Sequence, residues 1–321
     1  MFKKSWLIVC LAAFMILAAC GTNGNNGNNG NNSSGDKKEE ETTRTVKHAM
    51  GETEVPENPE KVVILTNEGT EALLAMDVKP VGAVQSWLGD PWYDHISDDM
   101  KDVEVVGTES EVNLEAVAAL KPDLIIGNKL RQEDIYDQLS AIAPTVYSET
   151  LKGDWQENFE FYAKALNKED KGEEVMNAYN DRIDSMSEGL GDQLDKKVSV
   201  VRFLAGQTRI YYKDSFSGVI LEQLGFDRPE SQQKEDFAEE VTKERIPEMD
   251  GDVLFYFTYE AGDGEANSTA EEWTNDPLWN NLQVVKDGNV HEVSDAIWNT
   301  SGGVLSANLM LDDIKDVFLS E

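Results

Sequence analysis

Residues 168–190 carry apolar side chains at three- and four-residue steps (Val175, Ala178, Tyr179, Ile183, Met186), and no strand pattern interrupts them. The spacing predicts one long helix near the middle of the chain. On both sides of it, short apolar runs alternate with helical periods. Before it, Val62–Leu65, Val81–Val84 and Leu124–Ile126 read as strands, and Asn67–Met76, Leu114–Leu120 and Arg131–Ser140 as helices. After it, Val198–Leu204 and Val253–Phe257 read as strands, and Phe216–Leu224 as a helix closed by Gly225. A βαβ rhythm lays parallel strands under helices. The expectation is therefore an α/β fold of two lobes, residues 44–165 and 193–321, joined by a single helix within 166–192. A bridge of one helix permits only a small hinge motion.

An internal echo ties the halves together. Asn113 to Ile126 and Thr242 to Phe255 each run as a capped helix, a turn with aspartate and an apolar strand. Glu115 and Glu244 fall at equivalent places.

The N-terminus sets the compartment. Lys3 and Lys4 precede an apolar run from Trp6 to Leu17, which ends in Leu17-Ala18-Ala19-Cys20. The run is shorter than the ~20 apolar residues of a membrane span and reads as a secretory signal. Its end resembles a bacterial lipobox, in which the cysteine is lipidated and becomes the new N-terminus. Residues 1–19 are then discarded, and Cys20 anchors the chain on the outer face of the cell membrane. Residues 21–43 are Gly/Asn/Ser low complexity followed by a charge run, with nothing to bury a core, so 20–43 read as a disordered tether. The remaining cysteine, Cys10, lies in the signal, so no disulfide is expected. Formal net charge is −34, and loss of Lys3 and Lys4 makes it −36. Nucleic acid and anionic lipid surfaces are poor partners for such a chain.

From Arg44 onward the chain resembles the cluster A (class III) solute-binding proteins of ABC importers, and within them the ferric-siderophore-binding lipoproteins of Gram-positive bacteria. The carriers are Val46-Lys47-His48-Ala49-Met50-Gly51 with Val55-Pro56, Pro59-Glu60-Lys61-Val62-Val63 and Val78-Lys79-Pro80-Val81-Gly82-Ala83. They continue through Asn113-Leu114-Glu115, Leu120-Lys121-Pro122-Asp123 and Tyr136 to Val146. Trp279-Asn280-Asn281-Leu282 and Trp298-Asn299-Thr300-Ser301-Gly302-Gly303 complete the set. The finer resemblance is to binders of citrate-based hydroxamate–carboxylate chelates such as schizokinen or arthrobactin. It implies two Rossmann-like lobes with the ligand cleft between them, a monomer, and delivery of the cargo to permease subunits with a separate ATPase. No Gly-x-x-x-x-Gly-Lys phosphate loop occurs here. In this family an acidic residue on each lobe docks the permease, which points to Glu71 and Glu222. On residues alone both are acids on exposed helix faces.

A ferric chelate arrives with its iron coordinated and presents anionic oxygens, so the protein needs fixed donors and positive charge rather than cofactors or metal ligands of its own. Arginine supplies both. Arg131 follows the Leu124 strand, at a carboxyl end where α/β sheets bind ligands. Arg202 lies inside an apolar strand, where a charge needs a partner or a ligand, and a buried salt bridge is its other reading. Arg209 opens the next segment. Trp87, Tyr211, Tyr212 and Trp298 are candidate flanking aromatics, with core packing as the alternative; Lys129 and Tyr136 complete the candidates.

Other ligands and roles are weighed against this one. Direct metal binding needs clustered ligands, whereas the three histidines, His48, His95 and His291, are scattered. Heme or a corrinoid suits the same fold. A Gly-x-Ser-x-Gly elbow is absent and no Ser/His/Asp set stands out, so an enzyme is not expected. A non-transport surface lipoprotein explains the anchor but not Arg202 or the paired lobes.

Overall fold

The computed structural model describes residues 42–319; the leader, Cys20 and nearly all of the tether lie outside that range. The described chain opens with an antiparallel hairpin, β1 (Thr43–His48) and β2 (Gly51–Pro56). Val46 and Val55 are its buried positions, and its turn is tied to the first lobe by the Ala49 amide on the Tyr147 carbonyl.

The first lobe is built on β3 (Val62–Ile64), β4 (Gly82–Ala83), β5 (Glu104–Val105), β6 (Leu124–Asn128) and β7 (Thr145–Ser148). They are all parallel, in the order β5-β4-β3-β6-β7. The helix Asn67–Ala75 leaves β3 at once. Thr66 caps it by accepting from the Gly69 amide, and Gly69 lets it lie against the strand, because a Cβ there would stand 2.5 Å from Ile64 Cδ1.

The second lobe carries β8 (Val198–Leu204), β9 (Gln207–Tyr211), β10 (Ala238–Glu240), β11 (Val253–Thr258) and β12 (Val290–Glu292). Their order is β10-β9-β8-β11-β12. Here the repeated parallel rhythm needs correction. The strands β8, β11 and β12 are parallel, but β9 runs antiparallel to both β8 and β10. Leu204 to Gln207 is a tight hairpin turn, too short for the helical crossover that a parallel neighbour requires.

The echo has a structural counterpart. The Asp123 carboxylate accepts from the Glu60 and Lys61 amides just before β3, and Asp252 accepts from the Lys197 amide just before β8. In each lobe the aspartate pins the start of one central strand to that of its parallel neighbour.

Between the lobes runs the helix Glu169–Leu190, 22 residues long, or about 33 Å at ~1.5 Å per residue. Tyr179, Ile183 and Met186 are buried as its stripe requires, Val175 is half-buried and Ala178 is exposed. Gly172 and Leu190 complete the buried face. A second connection was not legible: the C-terminal helix Val304–Phe318 packs back on the first lobe. There the Ser306 amide and hydroxyl donate to Glu71 at 2.9 and 3.0 Å. One apolar cluster accordingly runs from Val62 and Ile64 through Tyr179 and Met310 to Val200 and Phe255.

The helix expected over Arg131–Ser140 is broken into Lys129–Gln132, a 3-10 turn at Glu133–Ile135, and Tyr136–Ser140.

Candidate functional site

The carboxyl ends of both sheets converge on a cavity of about 340 Å³, within the range of small-molecule sites. Beyond β3 comes Glu68, beyond β4 Trp87, beyond β5 Glu109, beyond β6 Arg131 and beyond β7 Lys152. From the second lobe come Arg202, Arg209, Tyr259 after β11, and the Asn299–Gly302 turn. This is the crevice that open α/β sheets offer to ligands.

Arg202 is 7% exposed. Its Nε donates to Asp295 Oδ2 at 2.6 Å, its Nη2 to Oδ1 at 3.1 Å, and its Nη1 to the Tyr211 hydroxyl at 3.0 Å. Three of the guanidinium's five N–H groups are thus committed. The guanidinium carbon lies 4.9 Å from the Tyr259 ring centre. Both sequence readings of this residue hold at once: it is a buried ion pair, and it forms part of the cavity wall. Arg209 stands directly opposite Arg202 in the β8–β9 register and donates to Gln207 at 3.3 Å. Arg131 pairs with Glu109 at 3.3 Å and lies 5.7 Å from the Trp87 ring centre. The Lys152 ammonium sits 4.4 Å from the Phe237 ring centre. The Tyr259 hydroxyl donates to the Trp87 carbonyl at 3.2 Å, joining the two lobes across the cleft.

Glu68 is an acid that does not behave as one. Burial pushes its carboxyl up to about 8, against the pull of the donors Tyr162 and Asn158, and Glu109 and Asp154 add to the rise. At pH 7 it is mainly neutral. Four cations, Arg131, Lys152, Arg202 and Arg209, therefore face the anions Glu109 and Asp295, which leaves the cavity positive in a chain of formal charge −34.

Of the candidate ligand residues, Trp87, Arg131, Arg202 and Arg209 line the cavity. Lys129 does not; it points to the rim and pairs with Glu149 at 2.8 Å. Tyr136 packs under the hairpin, edge-on to Tyr147 and with its hydroxyl 3.4 Å from His48 Nε2. Tyr212 is fully buried on the outer face of its sheet and donates to Glu239. Side chains alternate along a strand, so it is Tyr211 that meets Arg202. Trp298 is 0% exposed, packed tilted against Phe255 and bonded to Asp313; the four residues after it form the wall instead.

Glu71 is also corrected. It is 0% exposed, held by His95 Nε2 at 2.6 Å and by Ser306, and cannot meet a partner protein. Glu222 remains exposed, 3.3 Å from Lys213.

Sequence reasoning missed Lys152, Tyr259, Glu68 and Glu109. The available signal was position, since each follows the carboxyl end of a strand that was itself readable or neighbours one.

Residues 62–296 match the family described as periplasmic binding protein. The chain is 56% identical to a "probable siderophore-binding lipoprotein" of Bacillus subtilis, over 98% of each. It is 29% identical to a Bacillus subtilis Fe(3+)-citrate-binding protein, over 86% of each. Among solved structures, SirA of Staphylococcus aureus in complex with staphyloferrin B superposes with a TM-score of 0.78 at 37% identity, over 86% of this chain and 98% of SirA. The chain belongs to the periplasmic binding protein family.

Proposed function

We propose that this chain is an extracytoplasmic receptor, anchored through Cys20, that binds a ferric siderophore between its lobes. It hands the cargo to an ABC permease driven by a separate ATPase. The observation that carries the reading is the positive cavity, built from Arg131, Lys152, Arg202 and Arg209 in a strongly acidic chain. Such a cleft selects an anionic, oxygen-rich ligand. Relatives named for Fe(3+)-citrate and a neighbour solved with staphyloferrin B support this class of cargo. Within it we favour a citrate-based hydroxamate–carboxylate chelate such as schizokinen or arthrobactin, because guanidinium forks pair best with carboxylate-type oxygens.

Trp87 in the cavity wall makes the test direct. Purified protein is titrated with ferric schizokinen, ferric citrate, a ferric catecholate, a trihydroxamate, heme and cobalamin while tryptophan fluorescence is followed. Saturable quenching by a ferric carboxylate-containing chelate at sub-micromolar concentration is expected. Silence toward every iron chelate, with the protein folded, overturns the reading.

A further inference from the structure

Glu68 sits in the wall of the cavity with its two carboxyl oxygens in different situations. Oε1 accepts from Asn158 Nδ2 and from the Tyr162 hydroxyl, both at 2.7 Å. Tyr162 is held in turn by Thr66 and Ser148. Oε2 has no hydrogen-bond partner among the described residues, and it is the atom the side chain has left to offer the cavity. An anionic Glu68 would repel an anionic cargo, and a cleft selected for that cargo gains nothing from it.

We propose that Glu68 is a specificity-determining residue that works as a neutral carboxylic acid, donating the O–H of Oε2 to an anionic oxygen of the bound chelate. This deepens the siderophore reading and rests on it. The surroundings fit from every side. Tyr162 and Asn158 on the helix Trp155–Ala165 present donors to Oε1, so the proton resides on Oε2. Glu109 and Asp154 disfavour a charge on Glu68. Glu109 is itself occupied by Arg131 and by Asn67, and Glu71, one turn along the same helix, by His95. Lys152, Arg202 and Arg209 also line the cavity and take the ligand's remaining oxygens. A ligand anion on Oε2 favours the protonated form further, so binding at alkaline pH draws a proton from solvent.

The test is calorimetric titration with ferric schizokinen between pH 6.5 and 9, in buffers of differing ionisation enthalpy. Near pH 8 about half a proton is taken up per chelate bound, and above it affinity falls by up to about tenfold per pH unit. Glu68→Gln places a fixed N–H donor where the acid had its O–H. It loses both the proton uptake and the pH slope. Binding by the wild-type protein without proton uptake at pH 8 overturns this inference alone, as does a Gln variant that keeps the wild-type slope. If ferric schizokinen and the other ferric chelates fail to bind even at pH 7, the siderophore reading falls and this inference falls with it.

Discussion

Arg202 and Arg209 stand directly opposite each other across the β8–β9 hairpin, and Asp295 clamps the first of them with a two-pronged pair. Opposed residues of an antiparallel pair share a face, so two guanidinium groups are held side by side on the cavity wall. Asp295 offsets one charge from behind and leaves the other for a ligand. The two arginines should therefore respond differently to removal.

Arg202→Ala strands a buried carboxylate. It is expected to cost about 3–5 kcal/mol of stability together with most of the ferric-chelate affinity. Arg209→Ala should lose about tenfold or more in affinity while stability stays within about 0.5 kcal/mol. Urea unfolding and fluorescence titration of both variants check this. Equal destabilisation by the two would contradict the division of labour.

The Tyr259 hydroxyl on the Trp87 carbonyl joins the lobes at the cleft. Tyr259→Phe keeps the ring beside Arg202 and removes one hydrogen bond, worth about 1 kcal/mol. Ligand dissociation should quicken by about two- to tenfold with little change in association. Stopped-flow measurement of both rates tests it, and an unchanged off-rate would mean that the bond plays no part in holding the lobes together.

Glu68 also makes stability depend on pH. In the unfolded chain this carboxyl ionises near 4.5, in the folded protein near 8. Between those values the folded state holds more protons, so its contribution is fully present below pH 4.5 and is lost as pH rises through 8. The loss is on the order of 3–5 kcal/mol. Glu68→Gln should therefore be more stable than wild type at pH 9 and similar to it near pH 4.5. Unfolding curves at both pH values decide the matter; a constant difference between them would remove Glu68 from the explanation.

Glu71 and Glu222 separate structure from docking. Glu71→Ala leaves His95 and the Ser306 amide without their shared acceptor, and a fall in thermal midpoint is expected, equivalent to about 2 kcal/mol or more. Glu222→Ala should leave fold and chelate binding intact. If Glu222 meets the permease, the variant lowers receptor-stimulated ATP hydrolysis by the reconstituted transporter. Unaltered stimulation would place the contact elsewhere.

Long-range electrostatics should oppose the local field. The acidic surface repels an anionic chelate that the cavity attracts, and salt screens exposed charges beyond ~8 Å at physiological strength. Association is expected to speed up as salt is raised from low levels. A rate that falls steeply with salt would show that the cleft dominates the whole surface.

Much of the frame was legible because it rests on local pattern. The runs at Val62, Leu124, Val198 and Val253 became β3, β6, β8 and β11, and the stripe at Tyr179, Ile183 and Met186 became the bridge. The site was legible only where a residue was conspicuous in its own segment. Arg202 stood out as a charge in an apolar strand. Lys152 and Tyr259 did not, since a loop cation and a loop aromatic look ordinary until the fold brings them together. Tyr212 and Trp298 each lay one position from residues that matter, and a shift of one reverses a strand residue's face. Glu71 reads as an acid on an exposed helix face, and nothing in its segment singles out Glu68. That helix is sandwiched instead between its sheet, the helix Trp155–Ala165 and the C-terminal helix, so both acids are buried, and no periodicity within nine residues reveals a cover that comes from the far end of the chain.

That cover bears on timing. The chain is made, and leaves any ribosome or membrane pore, N-terminus first. Glu71 emerges early, but two of the donors that satisfy it belong to Ser306, which emerges almost last. Until then the first lobe carries an apolar helix face without its lid, and its Glu71 carboxylate has His95 but neither of the Ser306 donors. The last contacts of the first lobe therefore form only once the C-terminal helix is in place, so the far end of the chain completes both lobes.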